Sequence, residues 1–306
     1  MENSSPGLPS FDYIKPDTIA DASQFLAMHP REARPLLGGT DIFVRMRDGY
    51  WHDQYLVDIK ALPGMQQISY DPQTGLSIGA AVTMNALIEF KPAQEHYPVL
   101  VQAARSVASY PLRNRATIVG NICNASPAAD TTGTCLLMDG ELEVFSGEGA
   151  RRQALATFFS APGETCLKPG EIVTRLILPS PPQGLSGIYI KLGRNKASDL
   201  AIVGVTAIGY PDTLNPSGFR CRLALASVAP TPLIVHAVEE YLASAPWVEA
   251  SLHQAAEIAM QACTPIDDTR ASAEYRRLMV RNLSYQALEQ ICTELTGWIN
   301  SGGYDG

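Results

Sequence analysis

The chain has 306 residues, 46% of them apolar and 18% charged, which gives length for two or three domains with buried cores and excludes a disordered tail-like protein. Its net charge of −8 and pI near 5.2 argue against nucleic acid as the main partner, since phosphate backbones require a basic face; they do not bear against a nucleotide cofactor, which backbone N–H groups can hold. The opening MENSSPGLPSFDY has neither a basic nor an apolar leader region, and no run approaches the roughly 18 apolar residues a membrane span needs. The expectation is a cytoplasmic protein with no membrane span.

In chain order, DTIADASQFLAMHP places Ile19, Ala22, Phe25 and Leu26 on one helical face behind a cap at Asp17 or Thr18. ARPLLGGTDIFVRMRDG reads as a short buried strand, a Gly-Gly turn and an apolar segment compatible with a helix. QYLVDIKAL alternates as a strand, and GLSIGAAVTMNALIEF as a strand passing into a helix capped near Thr83. YPVLVQAARSVAS is helical and leads into RATIVGNICNASPAAD, whose β-branched Ile118 and Val119 read as strand-like. In that stretch Pro127 after Ser126 predicts a helix start, with Asp130 in its first turn. TTGTCLLMDGELEVF follows as helix then strand, EGARRQAL as a hairpin and EIVTRLILP as a strand.

The stiff, polar segment Pro179 to Gly187 marks a domain boundary. Beyond it, GIYIKLGRN, DLAIVGVTAIGY and RCRLALASVAP read as strands. HAVEEYLASA, VEASLHQAAEIAMQA and AEYRRLMVRNLSYQALEQICTEL read as helices. Strands followed by helices predict an α+β domain with one sheet face covered.

Several motifs lose their apparent meaning in context. GLSIG at Gly75 to Gly79 matches a nucleophile elbow, but a turn precedes it, Leu76 and Ile78 alternate around Ser77, and none of the five histidines nominates a base. GEGARR lacks the third glycine and the helix of a dinucleotide fingerprint, and no Gly-Lys pair exists for a Walker loop. The six cysteines are scattered without a CxxC pair, so free thiols are expected and no metal or iron–sulfur cluster in this chain.

Two stretches keep a functional meaning. In LLGGTDI a buried strand ends in two glycines, whose missing Cβ atoms let a ligand approach the backbone, while Thr40 and Asp41 stand ready to cap the next element. Successive N–H groups in such a turn suit phosphate. In TIVGNICNASPAAD, Gly120-Asn121 repeats the device, and Asn124, Ser126 and Asp130 add polar side chains. Together the two loops suit the opposite sides of one diphosphate.

These stretches, with YIKLGRNKASDLAIVGVTA and ASAEYRRLMVRNL, resemble the flavoprotein (medium) subunits of the molybdenum hydroxylases, the xanthine dehydrogenase, carbon monoxide dehydrogenase and hydroxybenzoyl-CoA reductase family. The likeness runs in order through nearly the whole chain. It implies an α+β, vanillyl-alcohol-oxidase-type (PCMH) FAD-binding fold over residues 1–180, in two subdomains split near 60–65, and a C-terminal α+β domain over 186–300. Carried over, Leu36, Leu37, Gly38, Gly39, Thr40, Asp41 and Ile42 would cradle the pyrophosphate and ribityl. Thr117, Gly120, Asn121, Asn124, Ser126 and Asp130 would form the other wall, with Asp130 on a sugar or ribityl hydroxyl. The backbone at Ile172 and Val173 would meet the adenine, Lys191 would lie near the isoalloxazine ring, and Ile202 is a weaker candidate for its face.

Neither loop holds a histidine, so the FAD is expected to be non-covalent, and the cysteine-rich cluster insert of hydroxybenzoyl-CoA reductases is missing. The resemblance further implies an electron-transfer subunit. A large molybdopterin subunit would oxidise the substrate, two [2Fe-2S] clusters in a small subunit would pass electrons to this chain, and an external acceptor, not identified by the sequence, would receive them. A dimer of heterotrimers is the expected assembly. No catalytic acid or base is assigned, and Cys123 is assigned to packing. The alternatives are a stand-alone FAD-dependent oxidase or dehydrogenase of the same fold, for which the sequence nominates no base, and a cofactor-free scaffold.

Overall fold

The computed structural model describes residues 7–195 and 198–300, so the reading of residues 1–6 as no leader and the motif positions Lys196 and Ala197 lie outside the described residues. The chain begins with β1 (Asp12–Ile14), α1 (Ile19–Met28), β2 (Ala33–Leu36), α2 (Ile42–Arg47) and β3 (Tyr55–Asp58). The strands form a parallel sheet in the order β1-β3-β2. Thr18 caps α1 by accepting the Asp21 N–H at 3.1 Å, which leaves Ala22 and Leu26 to face the core. Phe25 meets Tyr55 edge-on at 5.3 Å.

A second unit starts with the hairpin β4 (Ile68–Asp71) and β5 (Gly75–Gly79). Six helices follow: α3 (Met84–Glu89), α4 (Lys91–His96), α5 (Pro98–Ser106), α6 (Tyr110–Arg113), α7 (Ile118–Cys123) and α8 (Thr132–Leu137). The hairpin β6 (Glu141–Ser146) and β7 (Gly149–Ala154), the small pair β8 (Phe159–Ala161) and β9 (Glu164–Thr165), and β10 (Ile172–Leu178) complete it. The larger sheet is antiparallel, in the order β4-β5-β10-β6-β7.

Two expectations fail here. Ile118 and Val119 open a helix, because the Thr117 hydroxyl takes the Gly120 N–H at 2.9 Å and both apolar side chains turn into the core. Pro127 does not start a helix. The N–H groups of Ala128 and Ala129 fold back on Ser126, through its Oγ at 3.3 Å and its carbonyl at 3.1 Å, and the next helix begins only at Thr132. Asp130 therefore precedes α8 and does not sit in its first turn.

The last third builds β11 (Ser186–Leu192), β12 (Val203–Pro211), β13 (Phe219–Ala226) and β14 (Leu233–Ile234) as an antiparallel sheet in that order. Then come α9 (His236–Ser244), α10 (Glu249–Ala262) and α11 (Ala273–Asn300). The expectation of one covered face is corrected: both faces are buried. Val203, Val205 and Ala207 join the core beneath α9 to α11, while Tyr189, Ile208 and Ala224 join the core of the preceding unit, against α5 and α8. This explains why β12 carries an almost unbroken apolar run and not an alternating one. The connecting segment is tied down at its start, where Tyr97 Oη donates to the Pro179 carbonyl at 3.0 Å.

One charge pair gives the fold a pH dependence. Arg151 grips Glu171 through Nε to Oε1 at 2.8 Å and Nη2 to Oε2 at 2.9 Å. These bonds hold the Glu171 carboxyl below its ordinary 4.5, against the opposing effect of its burial. A depressed acid stabilises the fold above its unfolded value and loses that contribution as pH falls through the folded one. Arg151→Met should therefore cost about 1 kcal/mol or less at pH 7, since Arg151 is partly exposed, and less as pH falls below the ordinary carboxylate range, by urea unfolding at pH 7 and in acid. An equal cost at both pH values refutes the assignment.

Candidate functional site

The first loop leaves the buried end of β2 at Leu36 and bends at Gly39, whose φ of +73° only glycine adopts without strain. No protein acceptor among the described residues meets the N–H groups of Gly38, Gly39, Thr40 or Asp41. Four successive free donors around a left-handed residue form a concavity of positive potential. Asp41 precedes α2 in a helical conformation and makes no side-chain cap bond, and none is made by Thr40, so the capping expectation is corrected. Asp41 stands at an exposed rim, but the surrounding protein mass pushes its carboxyl up, opposed by Arg45 one turn on. Among the described residues no side-chain hydrogen bond of its own is seen. Ile42, half-buried, begins α2 against Leu36 and Met46.

The second loop is pressed against the first. A Cβ built on Gly38 would lie 2.2 Å from the Arg115 carbonyl oxygen, and one on Gly120 would lie 2.7 Å from Thr117 Oγ1 and 3.9 Å from Leu37. Only glycine permits the approach at Gly38; at Gly120 the close neighbour is the Thr117 hydroxyl that caps α7, and Leu37 lies at ordinary contact distance. Asn121 Oδ1 accepts the Thr131 hydroxyl at 2.9 Å, which orients the amide and leaves its Nδ2 without a protein acceptor among the described residues. Asn124 closes α7, and no hydrogen bond of its side chain is seen among the described residues. The Cys123 thiol is pushed up to about 12 by burial, which removes thiolate chemistry.

Asp130 behaves differently from its neighbours. Its side chain is buried, and both oxygens are taken by β11: Tyr189 Oη donates to Oδ1 at 2.5 Å and Lys191 Nζ to Oδ2 at 2.9 Å. Lys191 also donates to the Ser106 carbonyl at 3.1 Å and is 14% exposed. Burial pushes the Asp130 carboxyl up, and Lys191 and Tyr189 oppose that shift. The geometry joins Asp130 and Lys191 to each other, across the junction between the second unit and the C-terminal sheet.

Comparison with known proteins decides the family. Residues 9–181 match the model of the FAD binding domain in molybdopterin dehydrogenase, and residues 188–291 that of the CO dehydrogenase flavoprotein C-terminal domain. The chain belongs to the FAD-binding subunits of the molybdopterin dehydrogenases. It is 32% identical over 279 residues to a putative xanthine dehydrogenase FAD-binding subunit of Escherichia coli, covering 91% of this chain and 94% of that one. To the carbon monoxide dehydrogenase medium chain of Afipia carboxidovorans it is 30% identical, over 92% of this chain and 96% of the relative. Its fold superposes with a TM-score of 0.89 on a chain of the carbon monoxide dehydrogenase of Hydrogenophaga pseudoflava, at 27% identity, covering 94% and 99% of the two chains. The protein is thus an FAD-binding oxidoreductase subunit with the α+β fold of these flavoprotein subunits.

The residues of this FAD-binding subunit fit the cofactor's chemistry. The unpaired N–H groups at residues 38–41 match a diphosphate, and the glycine approaches leave backbone, not side chains, to line it. Ile172 and Val173 are buried in β10, where β6 pairs one backbone edge; β5 pairs the other only from Arg175 onward, and α7 packs alongside. Ile202, 5% exposed, packs into the C-terminal core. A separate cleft of 470 Å³, lined by His96, Pro182, Leu185 and Glu294 among others, shares no residue with either loop.

Tyr189 escaped the sequence reading. It stands two residues before Lys191, on the same face of a strand whose Ile188 and Ile190 face the opposite core, so period-two alternation would have nominated it. The Arg115 carbonyl carried no such signal, because nothing in a sequence reports a backbone contact between distant loops.

Proposed function

We propose that this chain is the electron-transfer station of a multi-subunit molybdenum hydroxylase. It would receive electrons from [2Fe-2S] clusters of a small partner subunit, supplied by a large molybdopterin subunit, and pass them to an external acceptor, in a dimer of heterotrimers in the cytoplasm. The observation that carries the reading is the pair of loops, with free N–H groups at residues 38–41 backed against Arg115 through Gly38. When bound, FAD takes electrons one at a time and can hand on two. The first loop would bind the diphosphate through backbone donors, with Thr40 and Asp41 beside it for hydroxyl groups. Asn121, fixed by Thr131, would add an amide donor from the second wall. The Asp130–Lys191 pair would place a compensated charge behind that wall, setting the local field without offering an acid or base to the organic substrate.

The test is isolation from the native source. The expected result is a yellow-brown complex of this chain with two further subunits, losing substrate oxidation when this chain is removed. An isolated yellow chain that oxidises a substrate unaided would overturn the proposal.

A further inference from the structure

Arg276, in the first turn of α11, is a large side chain only 1% exposed. Its Nη1 donates to the Ile202 carbonyl at 2.5 Å and the Ser227 carbonyl at 3.2 Å, and its Nη2 to Asp268 Oδ1 at 2.7 Å. Asp268 is gripped again by Arg270, through Nη2 at 2.6 Å and Nε at 3.0 Å, and Arg270 Nη1 reaches the Ala201 carbonyl at 3.3 Å. Ser227 Oγ donates to that same carbonyl at 2.8 Å. Burial pushes the Asp268 carboxyl up, but the bonds from Arg270 and Arg276 and two backbone N–H groups outweigh it and hold the group ionised.

Both segments that Arg276 holds lead to the second loop. Ser227, in the left-handed region at φ +67°, donates its N–H to the Pro127 carbonyl at 2.7 Å. Ile202 donates its N–H to the Leu192 carbonyl at 2.7 Å, fixing the end of the strand from which Tyr189 and Lys191 hold Asp130. One guanidinium therefore stands behind both tethers that fix residues 127–130. A well-packed apolar residue often fills a buried site as stably as an ion pair does, so stability alone does not account for an arginine here. What the arginine adds is direction: it sets where two carbonyls, and hence two strand ends, must lie.

We infer that Arg276 is a positioning residue of the flavin site, acting through Ser227 and β11 on the loop around Pro127 and Asp130; this rests on the assignment of that loop to FAD. The test compares Arg276→Met, Arg276→Lys and Asp268→Asn with Asn121→Leu in the full chain, by FAD titration, visible circular dichroism of the bound flavin at saturation, and thermal unfolding of the flavin-free chain. Arg276→Met should weaken FAD binding about tenfold, or roughly 1.4 kcal/mol, and alter the visible dichroism. Arg276→Lys, which keeps a charge on Asp268 but cannot fork to both carbonyls, should fall between. If Arg276→Met does not fold, Asp268→Asn decides by the same readouts. Loss of FAD in Asn121→Leu, with wild-type affinity and dichroism in the Arg276 and Asp268 variants, overturns this inference alone. Unchanged FAD binding in Asn121→Leu overturns the loop assignment itself.

Discussion

Gly38→Ala should empty the protein of flavin while leaving it folded. The new Cβ would lie 2.2 Å from the Arg115 carbonyl oxygen, 2.8 Å from its carbon and 3.0 Å from Ala116 Cα, all of them backbone atoms that cannot swing aside. The two loops must then separate. Such overpacking costs about 1–3 kcal/mol of stability. A shift of about 1 Å in a binding constellation costs on the order of 100-fold in a site that depends on alignment. The proper control is Gly49→Ala. Gly49, unlike Gly38, sits at positive φ, +75°, and nothing lies within 4 Å of its would-be Cβ, so that variant adds backbone strain without loop separation. Flavin content after gel filtration, from the ratio of visible to ultraviolet absorbance, should be near zero for Gly38→Ala and unchanged for Gly49→Ala. A stoichiometric yellow Gly38→Ala protein would refute the two-walled site.

Lys191→Met is expected to destabilise the flavin-free chain by about 3–5 kcal/mol, because it strands a buried carboxylate. Asp130→Asn should do similar harm by stranding the ammonium, and the double variant should recover most of the loss, since it removes both charges together. The sign with pH is fixed by the geometry. Burial already raises the Asp130 carboxyl and Lys191 restrains it, so losing Lys191 raises it further. A raised acid favours the fold below its unfolded value and loses that favour as pH rises through the folded one. The cost of Lys191→Met should therefore shrink towards acid pH and grow as pH rises. A lysine pointing only at flavin would leave flavin-free stability unchanged in the single variant, and thermal unfolding across pH separates the two cases.

Much of the site is legible in the amino-acid order. The Gly-Gly exit from a buried strand is a local signal, and the strand end at Leu36, the turn at Gly39 and the helix from Ile42 fold as the sequence suggests, whereas the side-chain cap expected of Thr40 or Asp41 does not form. The order of the three long strands and three helices after residue 186 also follows from the sequence, although β12 reads as an apolar run and not by alternation, and the short β14 is not among the elements it predicts. What failed was local competition. The Ile118-Val119 pair carries strand propensity, yet Thr117 supplies a helix cap three residues before Gly120, and the cap together with core packing wins. Ser126-Pro127 looks like a helix start, but Ala125 at φ +48° and the turn on Ser126 postpone the helix to Thr132. The partners of Asp130 lie 59 and 61 residues away, and although both stand on one face of a strand, nothing local in the sequence pairs them with Asp130.

The proline-rich segment after β10 divides the chain by composition, but the buried surfaces do not divide with it. Gly187 lies against Val99, Tyr189 takes the Gln102 side chain through its N–H at 2.9 Å, and a Cβ on Gly133 would meet Thr206 Oγ1 at 2.8 Å. Cutting there would uncover an apolar face on each fragment, and a contiguous uncovered face of that kind drives association. The practical consequence concerns modularity: a flavin module lifted from this chain for transplantation into another reductase must carry its C-terminal sheet along, and a shorter graft should precipitate before it ever sees its cofactor.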